Sequence, residues 1–350
     1  MAIAVHSFQW IPPNPTSYLS QNDDGPPGPE SPYSFGLYRH LTRDLGFNVK
    51  VVIPSSQKSW IGKAYHITET TEGRYYYPRE PDGLGETSYV SRPLRDGEIA
   101  EWILLDGTPA TCANIALHNI FPGKIDLLIS GPNFGRNTSA AFSLSSGTIG
   151  AALSSSLSKI RSIAVSYGNV ERPTPKAYFE PAHNLSARII CYLWNNWGKD
   201  PGGVRNGEVD LYNVNVPMIG QLLNDEGMQV HWTFMWRNSY GRLFKGVPAV
   251  EPPKLGIQQP EEGSDASKKM DSENTGYDIA SVKIGDLAFK FSPDIQDLIT
   301  PDLSTVPIGS DGWAIGKGFA SVSPLRACFA EAGNTPLFSD PDIGTKIIKL

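Results

Sequence analysis

Asn22-Asp23-Asp24-Gly25 places two carboxylates side by side in a turn sequence. Adjacent Asp side chains repel unless something positive lies between them, and a divalent cation is the commonest such partner. Three further segments supply what a cation holding a phosphate would need. Asn133, in Ser130-Gly131-Pro132-Asn133-Phe134-Gly135-Arg136-Asn137, offers a neutral amide oxygen, and Ser59 offers a hydroxyl. Ser145-Ser146-Gly147-Thr148 opens a helix whose free N–H groups and dipole favour an anion. Two carboxylates plus neutral oxygens, completed by water, suit Mg²⁺ or Mn²⁺. Each piece has a plainer account. Asn, Asp and Gly make turns, Ser146 is equally an ordinary N-cap, and Ser59 is equally a surface loop residue. The combination carries the argument.

Other phosphate chemistries lack their parts. No Cys-x5-Arg loop surrounds Cys112, Cys191 or Cys328, and the six histidines are scattered without ligand spacing. Neither a Gly-x4-Gly-Lys-Ser/Thr loop nor a Gly-x-Gly-x-x-Gly turn after a strand is present. What remains is metal-assisted attack of water on a small phosphomonoester. A net charge of −6 without a Lys/Arg stripe argues against a nucleic-acid duplex and against an anionic membrane surface as partner. No apolar run reaches membrane-spanning length, and no basic leader with a long apolar stretch follows Met1. The expectation is a cytoplasmic protein.

The elements that must position these residues alternate in type. Phe35, Tyr38, Leu41 and Leu45 fall on one helical face ending at Gly46, and 48–54 reads as a buried strand. Thr108-Pro109 starts a helix running to about Ile120. Strands are predicted over 125–130, 162–166 and 211–217, with helices over 148–157 and 180–197. Strand–helix alternation predicts an α/β, doubly wound and mostly parallel sheet, with the ligand beyond the carboxyl ends of its strands. Residues 64–98 read as extended pieces and turns. Residues 248–277 are proline-rich and then polar, with few apolar residues, a composition that predicts a flexible insertion, and 312–329 reads as strand-like.

In this order, these segments resemble the SurE (survival protein E) phosphatases and nucleotidases. The resemblance is carried by Asn22–Gly25, Pro54–Lys63, Asp106–Ala110, Ser130–Asn137, Ser146–Ala152, Tyr212–Pro217 and Ser321–Leu325. The wording of Ser59–Lys63 and Phe291–Asp294 looks like the fungal branch. The resemblance implies a metal-dependent hydrolase of phosphoric monoesters, of the 5′/3′-nucleotidase or acid-phosphatase type. It implies Asp23, Asp24, Ser59 and Asn133 as metal ligands, with Asp23, Asp24 and Asn137 as catalytic residues. Asn137, Ser146, Gly147 and Thr148 would hold the phosphate. It also implies a Rossmann-like core (SurE-like) with a β-rich C-terminal segment that pairs protomers into a homodimer or homotetramer. The corresponding division is an atypical head over 1–21, a core over 22–247, the insertion over 248–277, and the rest of the domain with its tail over 278–350. Only Tyr18 and Leu19 are apolar immediately before the Asp pair, so the expected first strand is weak there. The rival reading is a catalytically weakened SurE-like module that binds a nucleotide or a protein partner.

Overall fold

The computed structural model describes residues 2–3, 17–170, 173–247 and 287–330. The expected insertion over 248–277 lies outside the described residues. The remainder forms two compact units, one up to Asn238 together with Leu303 onward, the other Ser239–Asp302.

In chain order the strands are β1 (Ala2–Ile3), β2 (Ser17–Gln21), β3 (Asn48–Pro54), β4 (Gly73–Pro78), β5 (Gly85–Ser88), β6 (Trp102–Leu105), β7 (Leu127–Phe134), β8 (Arg161–Asn169), β9 (Leu211–Met218), β10 (Val230–Trp232), β11 (Phe244–Gly246), β12 (Phe289–Phe291) and β13 (Ala320–Leu325). The helices are α1 (Ser34–Arg39), α2 (Pro109–Ile115), α3 (Ser139–Ser145), α4 (Gly147–Leu157), α5 (Phe179–Asn195), α6 (Gln296–Ile299) and α7 (Asp311–Gly316). Both α1 and α2 continue into a wider π turn, His40–Asp44 and Ala116–Ile120.

Among the described residues the first unit holds one sheet in the order β1-β10-β13-β9-β8-β7-β2-β3-β6-β4-β5. The run from β9 to β6 is parallel throughout. Consecutive residues of its strands feed opposite layers. Tyr18, Leu127, Ile129, Ile163 and Val165 pack with Ile189, Ile190 and Leu193 of α5. Their neighbours Leu19, Leu128 and Ala164 pack with Cys112 and Ala113 of α2 and Ile149 and Ala152 of α4. Apolar side chains on both faces are what helices on both faces require.

From β2 the chain moves outward through β3 and β6; from β7 it moves the other way through β8 and β9. The order therefore reverses between β2 and β7, where an open α/β sheet binds its ligand.

Two expectations are corrected. The residues before the Asp pair form a full central strand, with β2 hydrogen-bonded to β3 on one side and β7 on the other. Its polar end is stabilised by side-chain bonds: Gln21 Nε2 donates to Asn22 O (2.8 Å) and Pro109 O (3.2 Å), and Ser130 Oγ donates to Gln21 Oε1 (3.0 Å). The segment 312–329 is not strand throughout, because α7 precedes β13. Ser310 caps that helix by accepting from Trp313 N (3.2 Å).

The second unit contains the antiparallel pair β11–β12 and the short α6. Phe244 and Phe291 meet edge to face across the pair, 5.5 Å between centroids.

Candidate active site

The carboxyl ends of β2 and β7 are neighbours, with Gln21 paired to Ser130. The loop leaving β2 is closed by Asn22, whose Nδ2 donates to Gly25 O (3.0 Å) and Ser31 Oγ (2.9 Å) while its Oδ1 accepts from Gly25 N (3.1 Å). Gly25 sits at φ +83° with Ser56 backbone close by, a place that disfavours any Cβ. This turn buries both following carboxylates, each 3% exposed.

Asp23 Oδ1 accepts from Thr148 Oγ1 at 2.5 Å, and its backbone oxygen accepts from Lys58 N at 2.7 Å. Asp24 Oδ2 accepts from Phe134 N at 2.6 Å, and Gln57 Nε2 reaches Oδ1 at 3.5 Å. Burial raises the pKa of Asp23, against the pull of Thr148 and the N–H groups at the start of α4. Burial, and then the charge of Asp23, push Asp24 up to about 8. Among the described residues no Lys, Arg or His forms an ion pair with either. Two buried carboxylates held by neutral donors alone resist full ionisation unless a cation joins them. The described residues hold no cluster of three His, Cys, Asp or Glu. The nearby donor set is thus two carboxylates with neutral oxygens, which fits a hard, oxygen-preferring divalent cation.

α4 reaches this pair because Gly147 has no side chain. A Cβ there would stand 2.9 Å from Asp23 Cβ, 3.0 Å from Asp23 Oδ2 and 2.9 Å from Pro109 Cγ. Ser146 caps the helix, its Oγ accepting from Ile149 N at 3.2 Å. Ser146, Gly147 and Thr148 are therefore brought to the carboxylates as one rigid turn.

Within β7 the pairing with β8 shifts register between Ser130 and Asn133, and Gly131 sits there at φ +118°, where a Cβ would meet Val165 O at 2.1 Å. Asn133 is half-buried and donates from Nδ2 to Gly135 O (2.8 Å), leaving Oδ1 without a donor among the described residues. Asn137 is tied on every side. Its N–H donates to Asn215 Oδ1 (2.7 Å), its Nδ2 to Ser166 Oγ (2.8 Å), and its carbonyl accepts from Asn213 Nδ2 (2.8 Å) and Ser143 Oγ (2.9 Å). Ser59 is exposed and makes no hydrogen bond among the described residues. Its loop is nevertheless fixed at both ends, by Lys58 N on Asp23 O and by Gly62 N on Ser145 O (2.9 Å).

Several residues of this neighbourhood were not among the expected site residues. Asn213 and Asn215 occupy alternate positions of the fully buried β9, hence one face, and polar side chains there must have partners. That alternation was the available signal. Asp311, at 0% exposure, accepts from Ser139 N (2.7 Å), Trp236 N (2.9 Å) and Gly312 N (2.8 Å), and burial raises its pKa. Nothing local in the sequence marks it.

Residues 18–242 match the family described as Survival protein SurE. The chain belongs to the SurE family. It is 35% identical over 249 residues to the Saccharomyces cerevisiae protein named "Probable tubulin--tyrosine ligase PBY1", covering 65% of this chain and 32% of that one. That similarity fits the fungal character of the loops. It is 30% identical over 181 residues to the 5′-nucleotidase SurE of Campylobacter hominis, covering 51% of this chain and 65% of the relative. The chain thus spans less than two thirds of both these curated relatives. The 5′-nucleotidase SurE of Picosynechococcus is 24% identical over 328 residues, 90% of this chain and 92% of its own. SurE from Aquifex aeolicus shares the fold, with a TM-score of 0.56, 20% identity, and coverage of 94% of this chain and 100% of that one. SurE membership supports phosphomonoester hydrolysis at the level of the family. Among the described residues no helix is long and apolar enough to cross a membrane.

Proposed function

We propose that this chain is a divalent-cation-dependent phosphomonoesterase acting on nucleoside monophosphates and other small phosphate esters. The observation that carries the reading is the pair Asp23 and Asp24, buried at the topological switch point without a cationic partner among the described residues. Asp23, Asp24, Asn133 Oδ1 and the Ser59 hydroxyl would hold Mg²⁺ or Mn²⁺. Such a cation, when bound, would acidify a water and offset phosphate charge. Thr148 fixes the rotamer of Asp23, and Phe134 N–H fixes that of Asp24. With both carboxylates oriented in advance, one is free to take the proton of the attacking water. Ser146, Gly147 and Thr148 would present the α4 N-terminus to the phosphate. Ser166 Oγ can accept or donate, so a half-turn of the Asn137 amide would turn its N–H toward an anion. The reading extends to a cytoplasmic enzyme that pairs into a homodimer or homotetramer.

Phosphate release from p-nitrophenyl phosphate and from nucleoside 5′- and 3′-monophosphates tests it, in EDTA, Mg²⁺ or Mn²⁺. Turnover should require the cation and fall at least about a hundredfold in Asp23→Asn and Asp24→Asn. A folded protein that releases no phosphate with any cation would instead be the weakened binding module.

A further inference from the structure

Phe134 ends β7, a strand otherwise buried up to Pro132, yet 42% of the residue is exposed. Its own N–H is the group that holds Asp24 Oδ2 at 2.6 Å. Ring and carboxylate are therefore positioned by one residue. Beneath the ring lies Tyr33, with centroids 5.6 Å apart and planes tilted by 59°. Tyr33 is fully buried, wedged against Tyr167 and Phe179 with each centroid at 4.9 Å, and its hydroxyl donates to Asn169 Oδ1 at 2.7 Å. The support under Phe134 is thus a clamped aromatic cluster of tilted and edge-to-face rings.

A single exposed apolar side chain on a surface calls for no explanation. A phenyl ring seated on a locked aromatic cluster, fixed through its backbone to the carboxylate pair, is a different object. Its backbone contact with Asp24 sets the ring beside the carboxylate pair, where a group carried on the phosphate ester can meet it. We propose that the Phe134 ring, backed by Tyr33, is the stacking face that makes this site prefer phosphate esters that carry a planar aromatic group. It would receive the base of a nucleoside monophosphate whose phosphate meets Asp23 and Asp24. The inference rests on the phosphomonoesterase reading above. Stacking on a π-face tolerates every base, so the preference is for a base rather than for one base.

The test compares adenosine 5′-monophosphate with ribose 5-phosphate, which share phosphate and sugar and differ in the base. The ratio of kcat/KM for the two is read within each protein, so any general loss cancels. Phe134→Ala should lower the ratio about tenfold, equivalent to ~1.4 kcal/mol of stacking, and Phe134→Trp should keep it. Calorimetric binding of the same two compounds supplies the ratio where turnover is absent. An unchanged ratio in Phe134→Ala overturns the stacking face and leaves the phosphatase standing. Base-dependent binding lost in Phe134→Ala, without turnover in the parent protein, upholds the face and overturns the phosphatase. Neither binding nor turnover in the folded parent overturns both.

Discussion

Asp23 and Asp24 are held by neutral donors, and each carboxyl has a pKa above its usual value because burial disfavours its charge. A carboxyl whose folded-state pKa is raised binds protons more tightly folded than unfolded. In cation-free protein its stabilising effect is complete below the ordinary value of 3.8 and is lost as pH climbs toward about 8, the value reached by Asp24. Thermal unfolding in EDTA should therefore show Tm declining over that interval. Asp24→Asn, which cannot ionise, should flatten the decline, and an equally steep decline in that variant would contradict the assignment. A cation at a hundred times its Kd should restore about 2.7 kcal/mol. Gly147 makes the complementary case. Gly147→Ala drives a methyl into Asp23 and Pro109. The expected cost is roughly 1–3 kcal/mol of stability and, through the displaced carboxylate, on the order of a hundredfold in kcat. A variant with parental kcat would show that the contact between α4 and Asp23 has no part in the rate.

β9 shows how an element serves a loop that it does not adjoin in sequence. Asn213 and Asn215 reach from its buried face to the backbone of Asn137. Asn215→Ala leaves the Asn137 N–H without its acceptor in a buried place, at a cost of about 1–3 kcal/mol in urea unfolding. An unchanged midpoint would sink that account. Elements that advertise themselves locally were legible. The strand over 48–54 is where the apolar run and its closing proline put it, and Thr108 caps α2 by accepting from Thr111 N at 3.1 Å. The conjunction of the Asp pair, the Ser130–Asn137 loop and the Ser146–Thr148 turn was also readable, because each carries turn or cap chemistry in its own residues. β2 was not, since five residues with two apolar side chains depend on bonds to Pro109 and Ser130, far along the chain. α7 was hidden by two glycines, poor helix formers. They are required by packing: a Cβ at Gly312 would meet Trp236 at 2.7 Å and one at Gly316 would meet Leu303 at 2.3 Å. Asp311 acts on backbone N–H groups that no sequence pattern displays.

Across the first unit, the described C-terminal segment is built into the sheet instead of appended to it. β13 lies between β9 and β10, antiparallel to the first and parallel to the second. Asp311, just before it, ties Ser139 and Trp236 to the same segment. Asp311→Ala would strand those two N–H groups and that of Gly312, and should cost about 3 kcal/mol with a matching fall in the chemical-denaturation midpoint. Loss of less than a third of that would mean water replaces the carboxylate. The position of β13 also sets a timetable for synthesis. After β2, a ribosome delivers β3, β6, β7, β8 and β9, each able to pair with a strand already made. The flank of β9 then waits, with its backbone groups unpaired, until the chain has been extended through β13. A nascent chain therefore carries an assembled carboxylate site on an open-edged sheet, and that edge is the stretch a chaperone would have to shield.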